Sequence, residues 1–514
     1  MTKTLEAITD NQENIDKSVQ QHVSGNRNIV LPNGDSVQGN RNIVPPNGDI
    51  PQSILERHPL LTQKGIVNLK KIANHPDTPQ WNYFTIGDKV TNGDIEAVNK
   101  FRKEFLNDLP LSNNTLPSNN TLPSNNTPPL KIIRFVENMR TKSSWFREVI
   151  PEGTDLKSNW HSIQTMKRKD LLTSMTEIIP VREDYDRMIV YDTSGTTGHS
   201  IIVPHHPQTL ALNHVFAEFV LKVYGKPFDF SSPLACINVC AQQNTYVFYN
   251  VFSVWNEAGF AKVNLKESQW PTGIEGARRF FKDGAPHIIT ADPVSIGEMM
   301  KWELPVRPAV IFSTALTLSK KLKTMAEEYF QCPVINWYST TETGPIAFEP
   351  NNNSNVADLQ IFTHDLFVEI LDEHGFPVPD GTVGEITVTG GRNLWLPLLR
   401  YRTGDFASFS AGDHTCLRDF QGRKPVIFRA TDNSIVNSVD IGRTIRLACT
   451  FVEHQFKQYA DESCVLTIRP LPGININSEV VRNRIYELFG EKINLTISIL
   501  DTDSDKKLIP YISE

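Results

Sequence analysis

The chain has 514 residues, 39% of them hydrophobic, and a formal net charge of -7. That size suggests two to four domains, and an acidic balance without a long basic block argues against nucleic acid as a partner. The N-terminal "MTKTLEAITDNQENID" has no apolar signal region and no apolar run approaches the length of a membrane span, so the expectation is a soluble, cytoplasmic protein with no membrane partner, its six unframed cysteines free thiols.

In chain order, "GNRNIVLPNGDSVQ" is followed at once by "GNRNIVPPNGDIPQ", a tandem repeat of period 14 rich in Asn, Gly and Pro. Two copies cannot stack into a solenoid, and so few large apolar groups cannot offset ordering entropy. Residues 1–52 are therefore expected to be disordered. Residues 53–110 form a helical lead-in, with "DIEAVNKFRKEFLNDL" apolar at helical spacing. Residues 111–129, "LSNNTLPSNNTLPSNNTPP", read as a low-complexity linker. "PLKIIRFVENMR" and "SIQTMKRKDLLTSM" are again helical in pattern.

Short apolar runs then alternate with helical stretches. "DRMIVYDTSG", "PLACINVCA", "AKVNL", "PHIITAD", "PAVIFSTA" and "CPVINWYST" predict strands, while "GIEGARRFFKDG", "PVSIGEMMKW" and "SKKLKTMAEEYF" predict helices. This alternation predicts an α/β fold with βαβ units on a mostly parallel sheet. From about residue 365, "LFVEILDEHGFPVPDGTVGEITVTG" predicts two alternating strands around turn residues, hence an antiparallel β subdomain. The large unit is expected to span 130–423, and 424–514 a small α+β lid holding the helix "SEVVRNRIYELFG".

"YDTSGTTGHS" sets hydroxyls and glycines directly after a predicted strand. Such a loop offers backbone N–H groups and hydroxyl donors to an anion, although the Gly-x4-Gly-Lys pattern of a P-loop is absent. Three more stretches follow: "NWYSTTETGP" (336–345), "LPLLRYRTGDFASF" (396–409) and "FQGRKPVIF" (420–428). In that order, the four segments resemble the core motifs of the adenylate-forming enzymes, which include acyl-CoA synthetases, peptide-synthetase adenylation domains and luciferases. The surrounding texture looks closest to the phenylacetate–CoA ligase and CapK-like branch. The resemblance spans residues 130–514.

The resemblance implies an AMP-forming acid–thiol ligase that uses ATP, Mg2+ and a small carboxylic acid, with CoA as acyl acceptor. The alternatives are a carrier-protein thiol, an amine, or a non-catalytic nucleotide-binding descendant. It implies that Thr193, Ser194, Gly195, Thr196, Thr197 and Gly198 cradle phosphates and that Tyr338 stacks on adenine beside the Ala315 loop. Thr341 would face the α-phosphate, and Glu342 would hold Mg2+. Asp405 would accept the ribose hydroxyls and Arg423 would contact ribose or phosphate. Lys507, with Lys506 as the alternative, would be the catalytic lid lysine. Tyr246, Phe248 and Tyr249 would line the acyl pocket. The sequence departs from the family pattern at His199, Ser339, Pro425 and "RATDNSIV", the last two bearing on thioester formation rather than adenylation.

The poor apolar content of the repeats makes residues 1–52 dispensable. A chain starting at residue 53 should melt at nearly the same temperature as the full chain; a large drop would show that the repeats are structural.

Overall fold

The structure is a computed structural model that describes residues 52–82, 87–107, 127–182, 184–192, 201–228, 232–241, 247–351, 358–422, 426–449, 451–470, 475–500 and 511–514. The strands are β1 (Ile189–Asp192), β2 (Ile202–His205), β3 (Cys236–Cys240), β4 (Phe248–Phe252), β5 (Ala258–Asn264), β6 (Ile288–Ala291), β7 (Val310–Ser313), β8 (Val334–Thr340), β9 (Gly344–Phe348) and β10 (Leu359–Ile361). There follow β11 (Leu366–Leu371), β12 (Gly384–Gly390), β13 (Leu398–Ser410), β14 (Asp413–Gln421), β15 (Ile427–Arg429), β16 (Ile435–Asn437), β17 (Phe451–Gln458), β18 (Cys464–Pro470), β19 (Leu495–Ile499) and β20 (Tyr511–Ser513).

Twelve strands form one sheet in the order β11-β12-β13-β14-β10-β9-β8-β7-β6-β3-β5-β4. β5, β3, β6, β7 and β8 run parallel, as the βαβ reading predicts. The helices between them start where the sequence writes a cap. Asp292 follows β6 and accepts from Ser295 N at 2.9 Å, with Pro293 next. His206 follows β2 and accepts from Gln208 N at 3.1 Å through Nδ1, with Pro207 next. Each cap satisfies an orphan N–H of the first turn, and proline at the first helical position loses nothing there.

The parallel half is covered on both faces. One face buries Ile237, Val239, Ile289 and Ile311 with Phe281 and Phe330. The other buries Cys236, Ile288 and Val310 under Leu212, Val215 and Phe216 of the helix Pro207–Val223. The N-terminal helices belong to this packing. Leu69 and Ile72 join the first face, and Val98 and Phe105 the second. Arg102 donates to both oxygens of Glu218 at 2.8 and 3.0 Å, and Trp255 Nε1 donates to the same carboxylate at 3.0 Å.

Residues from 426 onward build a core of their own around Phe428, Phe456, Leu466, Ile485 and Phe489. It is formed by a four-stranded sheet of order β19-β18-β17-β20, the β15–β16 hairpin and the helices Ser438–Ala448 and Ser478–Phe489. The hairpin turns at Asn433, whose φ of +65° is tolerated by Asn better than by most side chains.

Three expectations need correction. Antiparallel pairing is not confined to the chain beyond residue 365: β1 pairs with β2 and β4 with β5 in that sense, and the antiparallel half of the twelve-stranded sheet starts where β8 and β9 fold back on each other around residues 341–343. β11 does not alternate: all six of its residues are buried, because its two faces enter different cores, Phe367 packing with Trp160, Leu398 and Tyr401 and Leu366, Val368 and Ile370 with Ile386, Val388 and Leu417. In "SIQTMKRKDLLTSM" the helix starts only at Arg168, since Met166 extends along β13, donating to Arg400 O at 3.1 Å and accepting from Arg402 N at 2.9 Å.

Two histidines, His205 buried and His214 half-buried, set an acid limit. Burial brings His205 down to about 4, and burial against Phe252 and Trp255 outweighs the Leu210 carbonyl to bring His214 down to about 4 as well. Unfolded histidine titrates near 6.5, so between these limits the unfolded chain binds protons that the folded chain refuses. Stability is intact above about pH 6.5 and falls towards pH 4 by roughly 1.4 kcal/mol per pH unit per ring. Calorimetric melting should show this decline, and His214→Phe should flatten it. An equally steep decline in the variant would mean that His214 does not titrate with unfolding.

Candidate active site

The predicted site residues converge where the parallel and antiparallel halves of the sheet meet. Tyr338 lies near the end of β8, 6% exposed, its ring tilted on Phe420 at 4.6 Å between centroids. Its hydroxyl donates to Asp405 Oδ2 at 3.1 Å and lies 3.3 Å from Thr403 Oγ1. Asp405, 7% exposed, is brought there by an irregularity in β13: the pairs Glu385–Phe406 and Thr387–Arg402 bracket extra residues, with Gly404 at φ +79°. Such a bulge re-aims a side chain, and glycine carries the left-handed backbone without a Cβ clash. Glu385 pins it by accepting from Gly404 N at 3.0 Å and Arg402 Nε at 2.6 Å.

Glu342 sits in the turn between β8 and β9, 5% exposed. Its Oε1 accepts from Tyr401 OH at 3.0 Å and from Arg168 Nη1 at 3.4 Å. The turn is braced from inside, Thr343 N donating to Thr340 Oγ1 at 3.2 Å. Gly344 leaves it at φ +72°, where an added Cβ would come within 2.8 Å of Asn213 Oδ1. Thr341 is half-buried at the same turn.

Ala315 follows β7, exposed and at φ +68°, a left-handed backbone uncommon outside glycine. The loop approaches β14 closely enough that a Cβ on Gly422 would lie 3.5 Å from Thr317 Oγ1. Tyr338, Asp405, Phe420 and the 315–317 loop therefore border one region. Phe248 is half-buried, its ring 5.8 Å from Phe260. Tyr249 points to the other face of β4, 1% exposed and packed on Trp81 at 5.1 Å. Thr193, Ser194, Gly195, Thr196, Thr197, Gly198, His199, Tyr246, Arg423, Pro425, Lys506 and Lys507 lie outside the described residues.

The strands flanking residues 193–200 are described. β1 and β2 pair antiparallel with Asp192 opposite Ile202. Their base is clamped by Asp184, which receives Arg182 at 2.8 and 3.1 Å and pairs with His206 Nε2 at 2.8 Å. Burial alone would raise its carboxyl, but Arg182 and His206 outweigh it and hold Asp184 well below the usual carboxylate range.

Sequence reasoning missed Arg168, Tyr401, Thr403 and Phe420. Tyr401 and Thr403 lie within "RYRTGD" and Phe420 opens "FQGRKPVIF", so proximity to motif residues was the available signal. Arg168 was hidden in a stretch read only for its helical pattern.

Among the described residues no group of three or more His, Cys, Asp or Glu could hold a metal, and no helix is long and apolar enough to cross a membrane. No protein-family model matches the chain. Protein CapK of Staphylococcus aureus is 21% identical over 384 residues, covering 70% of this chain and 82% of that protein. A 2-hydroxyisobutyryl-CoA ligase in complex with 2-HIB-AMP and CoA is 14% identical, with a TM-score of 0.49 over 78% of this chain and 94% of the ligase. The Vibrio cholerae adenylation domain AlmE, in complex with glycyl-adenosine-5'-phosphate, is 16% identical, with a TM-score of 0.36 over 62% of this chain and 64% of AlmE. In the order of its motifs and in its mixed α/β fold, the chain is similar to the adenylate-forming enzymes.

Proposed function

We propose that the chain activates a small carboxylic acid with ATP to an acyl-adenylate and then passes the acyl group to a thiol, CoA. The observation that carries the reading is the bond from Tyr338 OH to Asp405 Oδ2, which joins two motifs 67 residues apart at 3.1 Å. It puts an aromatic face and an ionised acceptor side by side, the pair that an adenosine needs for its base and its ribose. Glu342 stands at the far end of the same β8 turn.

In this reading a carboxylate oxygen of the acid attacks the α-phosphorus, the bond to the bridging oxygen breaks, and pyrophosphate leaves. The thiolate then attacks the acyl carbon and AMP departs, the thiol proton passing to solvent. Tyr338, Phe420 and the Ala315 loop border adenine, Asp405 orients the ribose, and Thr341 faces the α-phosphate. Residues 193–198 and Arg423 bind phosphates, and Lys507 lies over the acyl phosphate. Residues 130–423 act as the large domain and 424–514 as the lid.

The donor chemistry fits Mg2+. Both described donors to Glu342 fall on Oε1, leaving Oε2 for a cation, and Mg2+ takes one or two carboxylates when substrate phosphates and water complete its shell. Bound there, Mg2+ would neutralise phosphate charge. Arg168 and Tyr401 fix the carboxylate that would hold it.

Pyrophosphate release on a panel of alkyl and aryl acids tests adenylation, and adding CoA afterwards tests thioester formation; release with no acid would sink the first step. Asp405→Ala should raise the ATP KM about tenfold or more, the scale of a lost charge-assisted bond. An unchanged KM would place Asp405 away from the nucleotide. Lys507→Ala should slow pyrophosphate release about a hundredfold while sparing thioester formation from supplied acyl-adenylate, with Lys506→Ala as the control. Equal effects of the two variants would contradict the assignment of Lys507.

A further inference from the structure

The two faces of the parallel sheet are not equally covered. On one, the cross-strand row Tyr249–Ala261–Ile237–Ile289–Ile311 is at most 1% exposed throughout. On the other, the next row towards the carboxyl ends reads Phe248–Lys262–Asn238–Thr290–Phe312. Phe248, Lys262, Asn238 and Thr290 are all half-buried. The helix Pro207–Val223 explains the difference. Its apolar residues cover the preceding row, including Cys236, Ile288 and Val310, and leave this one partly open. The opening lies towards the carboxyl ends of parallel strands, beside β3, whose neighbours β5 and β6 lie to opposite sides. Open α/β sheets take ligands at such a point.

The open row has one wall of aromatics and one charge. The ring of Phe248 is 5.8 Å from Phe260, which is 5.0 Å from Phe252. Asn238 Nδ2 is held by Thr290 Oγ1 at 2.7 Å, leaving the Thr290 hydroxyl hydrogen to donate elsewhere. Lys262 forms no ion pair with any described carboxylate. A half-buried lysine between an aromatic wall and the Asn238–Thr290 pair, with no described carboxylate on it, can gain from an anion brought by a ligand.

We infer that Lys262 pairs with a second anionic group on the acid substrate, so that the chain prefers dicarboxylic acids over monocarboxylic ones. This rests on the adenylation reading: one carboxylate reacts at the Tyr338–Asp405–Glu342 site and the other is held by Lys262. The test compares pyrophosphate release on matched alkyl and aryl acids with and without a second carboxylate, for the full chain, Lys262→Met and Lys262→Arg. The ratio of kcat/KM for diacid over monoacid should favour the diacid in the wild type. It should fall about tenfold or more in Lys262→Met, as expected for a charged hydrogen bond, and recover in Lys262→Arg. Turnover without diacid preference, or a ratio unmoved by Lys262→Met, overturns the inference and leaves adenylation standing. If no acid is turned over, adenylation itself fails. Calorimetric binding of the diacids then decides on Lys262, and equal affinity in wild type and Lys262→Met overturns it.

Discussion

The reversal of strand direction between β8 and β9 is the constraint on which the site depends. A parallel sheet leaves its strand ends open to a ligand, whereas an antiparallel sheet returns the chain. In the twelve-stranded sheet β14, β10 and β9 separate β13 from β8, and the antiparallel half closes back so that residues of β13 meet the end of β8. Tyr338 can thereby reach Asp405, and Glu342 can reach Tyr401, although the partners are 67 and 59 residues apart. The reversal is tight: Gly344, at φ +72°, is packed against Asn213 of a helix on the parallel half. A side chain at 344 would have to displace the Asn213 amide and hold a left-handed backbone that glycine adopts without strain.

Behind this junction stands a buried ion pair. Arg400 and Glu369 are both fully buried, with nitrogen–oxygen distances of 3.2 and 3.3 Å. Arg400 also donates to the carbonyls of Ile163 and Gly375 at 2.7 Å each. Burial raises the Glu369 carboxyl, with Arg400 opposing. Removing one member of such a pair strands the other charge and costs about 3–5 kcal/mol. Arg400 sits at φ +47° immediately before Tyr401, so the pair fixes a strained backbone next to the residue that orients Glu342. Stability and site geometry are thus coupled through adjacent residues.

Much of the fold was legible because local pattern and tertiary role agree. The run "IITADPVSIGEMM" writes a buried strand, an Asp cap, a proline at the first helical position and a helix, and the structure contains each. The β9 strand was not legible, since "GPIAF" opens with two turn residues and runs only five. The helix Ser438–Ala448 was obscured by its Val, Ile and Thr content, which favours strands in isolation. For the site, residues at strand ends could be named from the sequence. Their supports could not: Arg168 reaches Glu342 across 174 residues, and no local pattern encodes such a contact. Lys262 was likewise silent, since its setting depends on cross-strand register rather than neighbours in sequence.

The central claim is that the junction of the two half-sheets binds ATP and an acid together and forms an acyl-adenylate reversibly. Acid-dependent exchange of labelled pyrophosphate into ATP, in the presence of Mg2+, measures that step and nothing after it. The predicted result is exchange that appears only when a suitable acid is added and is several-fold weaker in Asp405→Ala at ATP concentrations near the wild-type KM. Tight ATP binding without exchange across a broad set of mono- and dicarboxylic acids would contradict it.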